Sequence, residues 1–176
     1  MIFNETELPG TFLIEPERLE DERGFFARTY DRNIFQEHGL VAEIAQCSIS
    51  FNGRKGTLRG LHYQASPFSE DKLVRCTRGA IHDVIVDLRQ DSPTHLRYVG
   101  VALTAENRAM LYVPKGFAHG FLTLADDTEV AYQMSAPYSA EHARGVRWDD
   151  PLVGIRWPEE ARVISARDRT LPDYEP

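Results

Sequence analysis

The sequence of 176 residues is long enough for one domain with its own core, and 42% hydrophobic against 27% charged residues excludes a disordered chain. A net charge of -7 with no Lys/Arg-rich run excludes a nucleic-acid surface, so any anionic ligand must meet a local basic cluster. No stretch approaches the roughly 18 apolar residues of a membrane-spanning helix, and Cys47 and Cys76 lack metal or disulfide spacing; both are expected as core-filling thiols in a reducing compartment.

Met1 to Gly10 carries Asn4, Glu5, Glu7 and Pro9 rather than a basic start and an apolar run, so no export signal is expected there and the chain is placed in the cytoplasm. A short helix is predicted at 31–38, with Asp31 as N-cap and Gly39 just past its end. Strand-type runs follow at 57–63, 73–78, 81–88, 98–103, 110–113, 121–124 and 129–134. They are separated by Gly79, Asp91-Ser92-Pro93, Pro114-Lys115-Gly116 and Asp126-Asp127. That spacing predicts an all-β sandwich or barrel forming a single domain over residues 1–176. In the run at 81–88, alternation sets Val84, Val86 and Leu88 on a core face and Asp83 and Asp87 on the other, which lines a polar cavity or meets solvent.

His38, His95 and His142 sit in polar or turn-like surroundings, whereas His62, His82 and His119 fall in or beside strand-like runs. A lone strand histidine is usually a hydrogen-bonded structural residue. His62, however, follows Arg59 with Gly60 between them, and Lys72 comes after a short loop. Strict alternation would send Arg59 and His62 to opposite faces, so both can touch one ligand only if Gly60 permits a bulge.

The run Pro114-Lys115-Gly116-Phe117-Ala118-His119-Gly120 resembles the second motif of the cupin superfamily, small antiparallel barrels that hold a ligand or a metal. Where metal-binding cupins carry a second histidine in their first motif, this chain reads His62-Tyr63-Gln64, with Glu70 the only carboxylate nearby, so no metal is expected. Five segments resemble the dTDP-4-dehydrorhamnose 3,5-epimerase family in order and over nearly the whole chain. They are Asp21-Glu22-Arg23-Gly24-Phe25-Phe26, Leu58-Arg59-Gly60-Leu61-His62-Tyr63-Gln64, Lys72-Leu73-Val74-Arg75-Cys76, Gly116-Phe117-Ala118-His119-Gly120-Phe121 and Ser165-Ala166-Arg167-Asp168.

The resemblance implies a cupin-type antiparallel β-barrel (jelly roll) with short peripheral helices, and a cofactor-independent epimerase of a nucleotide-linked 4-keto-6-deoxyhexose in deoxysugar biosynthesis. Carbon 3, carbon 5 or both are inverted. By the same resemblance His62 is the base, Asp168 its partner, Lys72 the group facing the keto oxygen and Tyr132 the proton donor. His119 with Asp83 binds and polarises near the sugar, Tyr138 stands at the site, and Arg59 contacts the diphosphate, with Arg23 and Arg167 as basic companions. The family also implies a homodimer with a shared nucleotide pocket, in which Arg23 and Arg28 act on the neighbouring subunit's ligand.

Two departures bear on the nucleotide. Arg28 stands where the family places Glu, and Gln46-Cys47-Ser48 where it commonly reads Gln-Asp-Asn. The carboxylate-to-guanidinium change reverses charge and hydrogen-bonding sense, which makes CDP the alternative to dTDP. A metal-dependent cupin using His62 and His119, and a non-catalytic sugar-nucleotide binding protein, are the competing classes.

Overall fold

The structure, a computed structural model, describes residues 1–175. β1 (Ile2–Glu5) and β2 (Phe12–Glu15) form the first hairpin, and β3 (Arg18–Asp21) and β4 (Gly24–Ala27) a second one that pairs only with itself. Helix α1 (Arg32–Glu37) follows. The Asp31 carboxylate accepts the Asn33 and Ile34 N–H groups as its N-cap, and Gly39 leaves it at φ +71.

The remaining strands are β5 (Gln46–Asn52), β6 (Thr57–Gln64), β7 (Lys72–Arg78), β8 (Ala80–Asp87), β9 (Tyr98–Thr104), β10 (Met110–Val113), β11 (Phe117–Thr123), β12 (Thr128–Met134), β13 (Ala143–Gly145) and β14 (Val163–Ile164), before helix α2 (Ala166–Arg169). β1 to β5, β13, β14 and α2 lie outside the runs predicted from the sequence. β11 starts at Phe117 rather than Phe121, because its Phe117 and Ala118 already pair with Asp87 and Val86.

Two sheets face each other. One has the order β1-β2-β10-β7-β12-β5 and the other β13-β6-β11-β8-β9, with β14 added parallel to β6 and every other pairing antiparallel. Val74, Cys76, Leu111 and Val130 of the first sheet pack between the sheets against Ile81, Ile85, Phe117 and Phe121 of the second. Each such apolar side chain contributes roughly 1.5–3 kcal/mol when fully buried. The outer face of the first sheet is sealed by α1, whose Phe35 packs with Leu73, Met110 and Tyr112.

The outer face of the second sheet is sealed by the segment after β13, which brings Val153, Ile155 and Trp157 onto Leu61, Val84, Val86 and Ala118. Both faces of β8 are therefore buried. Asp83 and Asp87, for which solvent was one of two expected surroundings, are fully enclosed on the face that also carries Ile81 and Ile85. Cys76 is a core thiol as expected, but Cys47 is exposed on the outward face of β5.

Candidate active site

The inter-sheet space is not apolar throughout. Where β5, β7 and β12 face β6 and β11, polar side chains enclose an open cavity of about 370 Å³, within the range of small-ligand pockets. Its geometry starts at the β6 bulge. His62 pairs with His119 and Arg59 with Phe121, so Gly60 and Leu61 on β6 stand opposite Gly120 alone. The extra residue shifts the side-chain phase by one, and Arg59 and His62 come to line the same cavity.

Only glycine fits this crossing. Gly60 has φ +109, and a Cβ there would lie 2.7 Å from both Gly120 Cα and the His119 carbonyl oxygen. The freed backbone groups are taken up locally. Gly60 N–H donates to Asp168 Oδ2 at 3.2 Å, and Leu61 exchanges both backbone bonds with Val146 at 3.2 and 3.1 Å.

Two histidine–aspartate pairs meet here. His62 Nε2 is 2.7 Å from Asp168 Oδ1, and His119 Nε2 is 2.8 Å from Asp83 Oδ1. The first pair opens to the cavity, with the His62 side chain 40% exposed, and the second is interior, with that of His119 only 5% exposed. Asp168 is delivered by α2, whose N-cap Ser165 accepts the Asp168 N–H at 3.0 Å. Burial pushes the Asp168 carboxyl up, but hydrogen bonding from His62, the charge of that ring when protonated, the Gly60 N–H and Ser165 outweigh it and hold the group below its ordinary value of 3.8.

Tyr132 projects from β12 and meets the His119 ring edge-on, with centroids 6.1 Å apart. Burial, reinforced by the Asp83 charge, drives its phenol well above its ordinary value of 10.0 against the opposing pull of Arg59 and Ser50, so it stays protonated at neutral pH. Lys72, at the start of β7, is 3.0 Å from Glu70 Oε1 and donates to the His62 carbonyl at 3.3 Å. Arg59 is steadied by Asn52, whose Oδ1 accepts its Nε–H at 2.7 Å while the Asn52 amide donates to the Ser50 and Thr128 carbonyls.

The structure thus brings His62, Lys72, Tyr132, Arg59, His119, Gln46, Ser48, Tyr138 and Arg167 to one cavity, with Asp168 and Asp83 directly behind the two histidines. It does not bring Arg23 or Arg28 there. Arg23 lies on the β3–β4 turn, its side chain 84% exposed and bound to Asp21, and Arg28 pairs with Asp31 at 3.1 Å. His82, the third strand histidine, packs against Trp157 and Gly100 away from the cavity.

Glu70, Tyr63, Gln64 and Arg144 also line the cavity and were not singled out by sequence reasoning as site residues. Tyr63 and Gln64 had a signal, since they follow His62 directly. Gln64 ties down the mouth by donating to the Phe68 and Pro137 carbonyls and accepting the Ser139 N–H, while Gln46 accepts the Tyr138 N–H. Arg144 comes from β13, a three-residue strand with no periodic signal of its own. Among the described residues no group of three or more His, Cys, Asp or Glu is arranged to hold a metal ion.

An exposed imidazole backed by a buried carboxylate, beside an ammonium and a protonated phenol, can remove a proton next to a carbonyl, hold the enolate and return a proton. Comparison with known proteins agrees with that chemistry. The family model described as dTDP-4-dehydrorhamnose 3,5-epimerase matches residues 5–175. The chain belongs to that family. It is 45% identical to the dTDP-4-dehydrorhamnose 3,5-epimerase of Sinorhizobium fredii, over 98% of this chain and 89% of the relative.

Among solved structures, the dTDP-4-dehydrorhamnose 3,5-epimerase of Bacillus anthracis with TDP and PPi bound superposes with a TM-score of 0.95, at 42% identity over 98% of this chain and 99% of that one. The dTDP-6-deoxy-D-glucose-3,5-epimerase of Legionella pneumophila in complex with dTDP-4-keto-L-rhamnose superposes with a TM-score of 0.91, at 36% identity over 98% and 92%. The jelly-roll architecture of two facing antiparallel sheets is common to this chain and its family.

Proposed function

We propose that this chain is an isomerase that epimerises carbons 3 and 5 of a dTDP-linked 4-keto-6-deoxyhexose without a cofactor, in deoxysugar biosynthesis. The observation that carries the reading is the shared cavity of His62, backed by Asp168, with Lys72 and Tyr132. His62 removes the proton from a carbon next to the ketone. The C–H electrons form the enolate double bond, and the carbonyl π pair moves onto the oxygen facing Lys72. Tyr132 delivers a proton to the opposite face of the carbon, which inverts it. Asp168 keeps the imidazole in the tautomer whose free nitrogen faces the cavity and stabilises its cation. His62 and Tyr132 then exchange protons with solvent to reset, so solvent hydrogen enters the product.

The substrate is bound by positive charge that the net balance of the chain conceals. Arg59 and Arg167 at the cavity take the diphosphate, with His119, backed by Asp83, and Tyr138 around the sugar and Gln46 and Ser48 towards the nucleoside. Turnover in heavy water tests the reading. The product of a dTDP-4-keto-6-deoxyhexose should carry deuterium at both carbons beside the ketone, and absence of label at either position overturns the double epimerisation. Faster turnover of the CDP-linked sugar would overturn the choice of nucleotide.

A homodimer with a shared nucleotide pocket accounts for the hairpin that the fold leaves unused. β3–β4 exposes Leu19 to 68% and Phe26 to 67% beside Arg23, a pattern that suits an interface better than solvent. Arg23 and Arg28 then complete the partner's site. Sedimentation velocity should give twice the chain mass of 20.0 kDa, and a fully active monomer would contradict this. No helix of the described residues is long and apolar enough to cross a membrane. Action in the cytoplasm, where charged nucleotide sugars are retained, follows from the substrate.

A further inference from the structure

Glu70 and Asp71 are consecutive buried carboxylates with different surroundings. Asp71 is part of the scaffold. It accepts the Tyr112 hydroxyl at 2.9 Å and the Ser135 hydroxyl at 3.2 Å, and Tyr112 in turn accepts the Val41 N–H. Asp87, another scaffold carboxylate, is likewise saturated by Arg89, Ser92 and Thr94. Glu70 has none of this. Its Oε1 meets Lys72 Nζ at 3.0 Å, its buried Oε2 has no hydrogen-bond partner among the described residues, and it lines the cavity.

A buried carboxylate with one unsatisfied oxygen destabilises a fold, so packing alone gives no reason for an acid at this position. Its single partner supplies the reason. An ammonium group has three N–H donors. On Lys72 the His62 carbonyl oxygen accepts one of these, and Glu70 Oε1 stands 3.0 Å from the same nitrogen as its ion-pair partner, so among the described residues the ammonium keeps an N–H free at the cavity wall. The carbonyl contact also ties the ammonium to the backbone of His62.

We propose that Glu70 is a positioning residue: its carboxylate holds the Lys72 ammonium beside His62 so that a free N–H faces the sugar ketone. The inference rests on the reading of Lys72 as the group that stabilises the enolate. Glu70 acts on the reaction only through Lys72, and its effect belongs in the chemical step rather than in substrate binding.

A double-mutant cycle on solvent deuterium exchange tests this. Glu70→Ala should lower kcat by roughly 10- to 100-fold, the range for one charged hydrogen bond, with KM changing less than about threefold. Glu70→Gln keeps an acceptor for the lysine and the side-chain volume, so it should recover most of that loss and also serves if the alanine variant does not fold. In a Lys72→Met background neither substitution at Glu70 should lower kcat further. A loss of equal size in that background, or parental kcat in a folded Glu70→Ala protein, overturns the proposal. Parental exchange in Lys72→Met alone overturns the reading of Lys72, and is seen before any change at Glu70 is made.

Discussion

Asp168 accepts from His62 Nε2 at 2.7 Å through one oxygen and from the Gly60 N–H at 3.2 Å through the other. One carboxylate therefore orients the proposed base and pins the bulge that turns that base into the cavity. Asp168→Asn keeps the shape but presents an amide to the imidazole and removes the charge that stabilises its cation. The expected result is a fall in kcat of about 100- to 10,000-fold with KM little changed, read from initial rates of deuterium exchange. The depressed carboxyl gives the pair a stabilisation that is present above the ordinary value of 3.8 and is lost as pH falls below it. Between pH 5 and 8 this carboxylate should contribute no step to the activity profile.

Tyr132 should separate exchange from inversion. A phenol held well above its ordinary value of 10.0 is a proton donor at any working pH. Tyr132→Phe leaves the base in place, so it should retain part of the deuterium wash-in while blocking completed inversion at the carbon it protonates. Total loss of both would count against the donor role. In an ultraviolet titration of the folded protein from pH 7 to 10, parent and variant should show the same phenolate signal.

Gly60→Ala should lower both stability and activity. The added methyl carbon meets Gly120 Cα and the His119 carbonyl oxygen at 2.7 Å, backbone atoms that cannot move aside singly, and φ +109 is strained for alanine. A loss of roughly 2–4 kcal/mol in denaturant unfolding is expected, together with weaker binding of substrate, since Arg59 and His62 both depend on the bulge. Parental stability with parental KM would show that β6 tolerates another register.

Asp87 links stability to acid. Burial raises its carboxyl, but bonds from Arg89, Ser92 and Thr94 and the Arg89 N–H hold it at about 2, below its ordinary 3.8. Its folded value is the lower one, so the stabilisation, about 2 kcal/mol, is complete above the unfolded value and disappears as pH falls from about 4 towards 2. Urea unfolding of parent and Asp87→Asn should show a gap at pH 6 that shrinks to less than half of that by pH 2.5. An unchanged gap at both would rule out this linkage.

The sequence was most legible where strands carry apolar alternation. β7, β8, β9, β10 and β12 end within a residue or so of the runs read from the pattern, since the inter-sheet core enforces it. β5 shows why the rest was not. Its inward residues are Ser48, Ser50 and Asn52 and its outward ones are Cys47, Ile49 and Phe51, so the usual polarity is inverted by the cavity it walls. β3 is exposed at every position and offered no period at all.

For the site, the requirement that Gly60 allow a bulge was readable from the spacing of Arg59 and His62. The partner carboxylates were not, because the distance between Asp168 and His62 is set by the docking of α2 on β6, and that between Asp83 and His119 by the pairing of β8 with β11. Only likeness to a family named them beforehand. Arg23 and Arg28 were named in the same way and stand off the cavity of their own chain.

The His62–Asp168 contact joins residues 106 positions apart. No local stretch of chain can preassemble such a base, and a peptide containing β6 alone would hold an ordinary histidine. During refolding, catalytic exchange of substrate hydrogen therefore appears only in molecules that have already closed that long loop and docked α2 against β6. Exchange activity is thus a clock for one long-range closure of this fold, distinct from any signal that reports its sheets.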